Sequence, residues 1–141
     1  MKIDYEELFK KNYAGYAFDE PGYGYAKKYL KTKEGKKDLK RDKKSSKKLQ
    51  KQLVNDGFDS SETWSLDTTI AKFVYPRIKH LRKIVHGYPH ELSEKKWDKI
   101  LKKMEYSFMM LQDEIDDYEE TYPRIEKGLQ LFAKYFVHLW D

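Results

Sequence analysis

Apolar residues fall at helical spacing in three separate stretches of the chain. In the first, Leu66, Ile70, Phe73, Val74, Ile78 and Leu81 recur three and four positions apart, which predicts a helix over 61–85 with one apolar stripe. In the second, Trp97, Leu101, Met104, Phe108, Leu111, Ile115 and Tyr118 advance by alternating steps of four and three. That heptad seam predicts a long helix over 93–119, packed at a shallow angle against its neighbours. Ile125, Leu129, Phe132, Phe136 and Leu139 repeat the alternation and predict a third helix over 123–140. Short connections then give an all-α fold, a three-helix antiparallel core bundle.

The polar positions punctuate this pattern. Asn55-Asp56-Gly57 marks a turn, and Asp59, Ser60 and Ser61 offer N-caps ahead of the first core helix. Pro76 removes the bond to the Lys72 carbonyl, which predicts a kink near Phe73 that directs Asp67, Arg77 or Lys79 into a pocket. His86 to Leu92 reads as a loop with Tyr88 and Leu92 packed inward, and Ser93 as the next cap. Pro123 suits the first turn of the third helix, and Gly128 inside it predicts a close approach by another helix. Trp64, Trp97 and Trp140 occur once in each predicted helix, so a shared aromatic cluster is expected. A large aromatic so near Asp141 implies a docked C-terminal segment.

Before residue 57 the pattern changes, giving a division into 1–56 and a helical core domain, 57–141. Residues 1–13 predict a short amphipathic helix, and 14–25 an aromatic-rich loop. Gly22-Tyr23-Gly24-Tyr25 lacks the preceding strand and the Gly-Lys-Ser/Thr ending of a phosphate loop. Apolar residues are nearly absent between Leu30 and Leu49, so 26–52 reads as a lysine-rich arm, mobile or partly helical.

Charge sharpens the contrast. The formal net of +5 over 141 residues conceals an arm, 27–51, with 13 basic residues against Glu34, Asp38 and Asp42, on a mildly acidic remainder. Lys36, Lys37, Lys40, Arg41, Lys43, Lys44, Lys47 and Lys48 are suited to nucleic-acid phosphates. Lysine without interleaved aromatics is a weak recognition signal, and a solvated linker is the plain alternative. The opposite charge gathers at Asp113, Glu114, Asp116, Asp117, Glu119 and Glu120. On a helix these would form an acidic face for a basic partner. No second acidic helix or Glu-x-x-His motif accompanies them, so no metal is assigned. Gly87 and Pro89 keep His86 and His90 off one helical face, which removes the metal reading there as well.

No nucleophile triad, dinucleotide fingerprint or zinc-ligand spacing is present, so the reading is non-enzymatic, with no cofactor and no metal. Cysteine is absent, which is compatible with a reducing cytoplasm, and no apolar run reaches signal-peptide or membrane-spanning length, so neither export nor membrane contact is expected.

Gly57-Phe58-Asp59, Trp64-Ser65-Leu66-Asp67, Pro76-Arg77-Ile78-Lys79, Gly87-Tyr88-Pro89 and Trp97-Asp98-Lys99-Ile100-Leu101 form a set with Gly128-Leu129-Gln130-Leu131-Phe132-Ala133-Lys134-Tyr135-Phe136 and Leu139-Trp140-Asp141. Over about 57–141 this set resembles small tailed-bacteriophage proteins with no assigned chemistry. The resemblance implies the cytoplasm of an infected bacterium and a protein that binds and modulates or inhibits a host protein, as an anti-defence factor does. The surface expected for that partner is the acidic run, with Asp67, Arg77 and exposed aromatics as secondary candidates. The alternatives are a nucleic-acid-binding accessory protein using the arm, and a virion or assembly component.

Overall fold

The computed structural model describes residues 21–141, in which every regular element is helical. The expected helix over 1–13 and the first part of the aromatic loop lie outside the described residues. The chain divides into two compact units, Met1–Leu66 and Asp67–Asp141.

In the first unit the lysine-rich segment is a helix, α1, Lys33–Asp56, of 24 residues. Both ends are capped. The Thr32 hydroxyl accepts from the Gly35 N–H at 3.0 Å, and Gly57, at φ 77°, closes the other end by donating its N–H to the Leu53 carbonyl. Of the two expectations for the arm, mobile or partly helical, these caps and three leucines favour the second, the segment being helical from Lys33 onward. Leu39, Leu49 and Leu53 share one side of the helix, and the last two are buried. Sparse apolar residues suffice when the leucines among them face the same way, although Val54 is exposed.

The chain before α1 folds onto its first turns through the 3₁₀ turn Tyr29–Lys31. Gly35 permits this, since a Cβ there would strike the Tyr29 carbonyl. Tyr29 Oη donates to Asp38 at 2.7 Å, and the Gly22 N–H donates to Asp42 at 3.2 Å. Chiefly through its hydrogen bond to Asp38, the Tyr29 phenol is raised above its ordinary value of 10.0. A raised value means that the attachment is fully present below pH 10 and is lost as pH climbs through the folded-state value. The Leu30 and Leu39 methyl resonances should therefore shift together above pH 10 in an NMR titration and stay still in Tyr29→Phe. Identical titrations in both proteins would rule this out.

After α1, the chain turns sharply. Gln52 accepts from the Ser60 N–H at 3.1 Å and the Ser60 hydroxyl at 3.0 Å. The buried Asp59 caps the 3₁₀ turn Ser60–Thr63, while Glu62 reaches back to the Asp59 N–H at 3.2 Å.

The second unit is the three-helix bundle: α2, Leu66–Ile84, which starts at the boundary residue; α3, Glu94–Met110; and α4, Tyr118–Lys134, followed by the 3₁₀ turn Phe136–His138. Trp97 meets Tyr135 edge-on at 5.5 Å between ring centres, while Ser107 reaches Ile125 further along, so α3 and α4 run antiparallel. Ile78, Trp97, Leu101, Met104 and Tyr135 form the core, with Val74, Leu131 and Phe132 packed against it. Gly128 meets the expectation of close approach. A Cβ on it would overlap the Ser107 hydroxyl and the Lys103 carbonyl. Arg82 joins α2 to α3, donating to Asp98 at 2.9 Å and to Glu105, and these two bonds raise its guanidinium further above its already high value.

Several expectations are corrected. The predicted second helix stops at Met110, so Ile115 lies in a connection and Tyr118 opens α4. The cause is electrostatic: carboxylates extending the C-terminal end of α3 would oppose its dipole, whereas Asp117, Glu119 and Glu120 suit the N-terminus of α4. Pro123 therefore sits in the second turn of α4 rather than the first. On α2 the apolar stripe is rotated: Ala71 and Ile78 are buried, while Leu66, Ile70 and Phe73 are exposed. No tryptophan cluster forms. Trp97 is 2% exposed, whereas Trp64 and Trp140 are 68% and 66% exposed. Tyr88 is exposed, and Pro89 fills the buried position of its loop.

Candidate nucleic-acid interface

On α1 the charges are sorted along the helix. Two carboxylates of its first half hold the preceding chain: Asp38 accepts from Tyr29 and pairs with Arg41 at 3.2 Å, and Asp42 accepts from Gly22. From Lys43 to Lys51 there is no carboxylate at all. Arg41, Lys44, Lys47, Lys48 and Lys51 lie within a face about 120° wide, directed away from Leu49 and Leu53. With Gln52, Asn55 and one carboxylate, Asp56, they line a shallow groove of about 710 Å³. At a rise of 1.5 Å per residue the helix is about 36 Å long, enough to follow one turn of a duplex.

Of the residues expected to meet nucleic acid, Arg41, Lys44, Lys47 and Lys48 line this groove, while Lys36, Lys37, Lys40 and Lys43 are exposed outside it. Lys51 and Asn55 belong to the groove and were missed, although each continues the i, i+3/i+4 progression from Lys44 and Lys48. Lysines are compact point charges without bidentate geometry, so the surface suits phosphates rather than base edges.

The acidic run does not form one helical face. Asp113, Glu114 and Asp116 lie in the connection, Asp117 caps α4 by accepting from the Glu120 N–H at 3.2 Å, and Glu119 and Glu120 occupy its first turn. Asp67 is exposed in the first turn of α2. Arg77 turns back onto its own helix rather than into a pocket. It donates to the Phe73 carbonyl at 2.6 Å, with its guanidinium 3.6 Å above the Phe73 ring. Among the described residues no ion pair joins Asp67 to Arg77, and no three His, Asp or Glu side chains converge as metal ligands. His86 lies 3.5 Å from Asp141, and His90 lies 3.1 Å from Glu91.

Positive charge also gathers in the second unit, which sequence reading treated as the acidic body. Lys99, Lys102 and Lys103 on α3 face Arg124 and Lys127 on α4. The signal was present as cations three and four apart on each segment, but the pairing of the two segments was not visible. No helix among the described residues is long and apolar enough to cross a membrane. Compared with protein-family models, curated proteins and solved structures, the chain matches none.

Proposed function

We propose that this chain is a non-enzymatic nucleic-acid-binding protein that grips phosphate backbones through the groove face of α1. The observation that carries this reading is the division of charge on that helix. Asp38 and Asp42 hold neighbouring chain, and Lys44, Lys47, Lys48 and Lys51 share one outward face with Arg41, against the single groove carboxylate Asp56 at the end of the helix. Such a face supplies affinity without sequence preference. The phage setting implied by the resemblance over 57–141 accords with an accessory role on nucleic acid in an infected bacterium.

The test is fluorescence anisotropy of the full chain with duplex and single-stranded oligonucleotides of unrelated sequences, over roughly 50–200 mM salt. Each phosphate neutralised on a duplex contributes about 0.9 to the slope of log affinity against log salt, so five contacts give a slope near −4.5, about −4 to −5. Equal affinity at both ends of that salt range would sink the reading.

A second reading, a contact with a host protein, is supported by exposed apolar residues in the second unit. Phe136, Val137 and Trp140 are 61%, 74% and 66% exposed. Exposed aromatics of this kind serve as anchors for partners.

A further inference from the structure

We infer that the cleft between α3 and α4 is a second, separate anion site, built for a small ligand carrying two or more linked phosphates. The cleft has a volume of about 550 Å³, within the range that encloses nucleotide-sized ligands. Lys99, Lys102, Lys103, Arg124 and Lys127 line it with Tyr106, and no carboxylate does. Two carboxylates on α3, Asp98 and Glu105, are directed away from them and pair with Arg82 of α2.

The cleft adjoins a close contact between the two helices. Gly128 lets α4 approach Ser107 and the Lys103 carbonyl, which brings Arg124 and Lys127 opposite Lys103 and Tyr106. Arg124 lies with its guanidinium 4.4 Å from the centre of the Tyr106 ring. The ring orients the guanidinium plane and leaves its N–H edge able to fork onto phosphate oxygens. Five clustered cations repel one another, and a single phosphate compensates fewer than half of them. Linked phosphates bring three or four negative charges into one cleft, and the concave shape favours a compact ligand over a duplex. A nucleoside triphosphate and inorganic triphosphate share this chemistry.

The inference does not depend on the role of α1. Isothermal titration of the full chain with inorganic triphosphate and, separately, with ATP tests it at low salt. Both should bind with one-to-one stoichiometry, and Arg124→Gln/Lys127→Gln should weaken binding at least tenfold. Lys96→Gln, an exposed residue outside the cleft, should leave it unchanged. Tighter binding of ATP than of triphosphate supports a nucleoside ligand, and equal binding supports inorganic polyphosphate. Thermal melting of each variant confirms folding. No binding at millimolar ligand overturns the site, as does equal weakening by Lys96→Gln. Loss of only a single-stranded oligonucleotide in the cleft variant, with triphosphate unaffected, also overturns it and assigns the cleft to nucleic acid.

Discussion

Replacing Gly128 with alanine is expected to destabilise the second unit by about 3 kcal/mol, although alanine is favoured over glycine inside a helix by about 1 kcal/mol. The new methyl would overlap the Ser107 hydroxyl and the Lys103 carbonyl. Neither can easily retreat. Ser107 is fully buried and its hydroxyl lies 2.8 Å from the Ile125 carbonyl and 3.1 Å from that of Lys103, so moving it breaks polar contacts with no water to replace them. The Lys103 oxygen is backbone, and can shift only if α3 shifts. Urea denaturation followed by tryptophan fluorescence measures the loss, because Trp97 lies in the affected core. The double variant Ser107→Gly/Gly128→Ala removes the hydroxyl clash and leaves the carbonyl one, so it should recover part of the stability. A denaturation midpoint unchanged in Gly128→Ala would refute the packing argument.

The second large effect is on binding. Lys44→Gln, Lys47→Gln, Lys48→Gln and Lys51→Gln combined should lower the salt slope for duplex DNA by about 3 to 4 and reduce affinity on the order of a hundredfold or more at low salt. The informative comparison is a matched variant with Lys36, Lys37, Lys40 and Lys43 changed to Gln. It removes the same charge from the same helix but outside the groove. Charge number alone predicts equal losses, whereas the groove predicts a clearly smaller loss in the second variant. Glutamine keeps helix propensity close to that of lysine, so circular dichroism should show α1 intact in both.

Where the sequence could be read, and where it could not, follows from what decides each feature. The all-α bundle was legible because Trp97, Leu101, Met104 and Phe108 repeat at heptad spacing, and all four are buried. Beyond Phe108 the same spacing misled, because Ile115 and Tyr118 kept the period while the charges between them favoured a helix start over a helix continuation. Gly128 was legible because glycine inside a helix calls for a reason. The exposure of Trp64 and Trp140 was not, since both lie in chain outside the helices, where helical spacing does not report which way a side chain faces. For the candidate sites the limit was pairing. Lys44, Lys47 and Lys48 follow one face of one helix and could be found from spacing alone. Lys103 and Arg124 meet only because α4 returns alongside α3, a fact of tertiary structure.

The intimate contact of α3 with α4 also bears on how the second unit reaches its native state. These helices are consecutive in the chain and joined by only seven residues, 111–117, so little chain entropy is lost in bringing them together. Low contact order of this kind goes with fast folding. The α3–α4 hairpin is thus the natural nucleus. α2 adds Ile78, Val74 and the Arg82 bridge to a surface already formed, so rate effects should concentrate at Ser107 and Gly128, and changes in α2 should mainly speed unfolding.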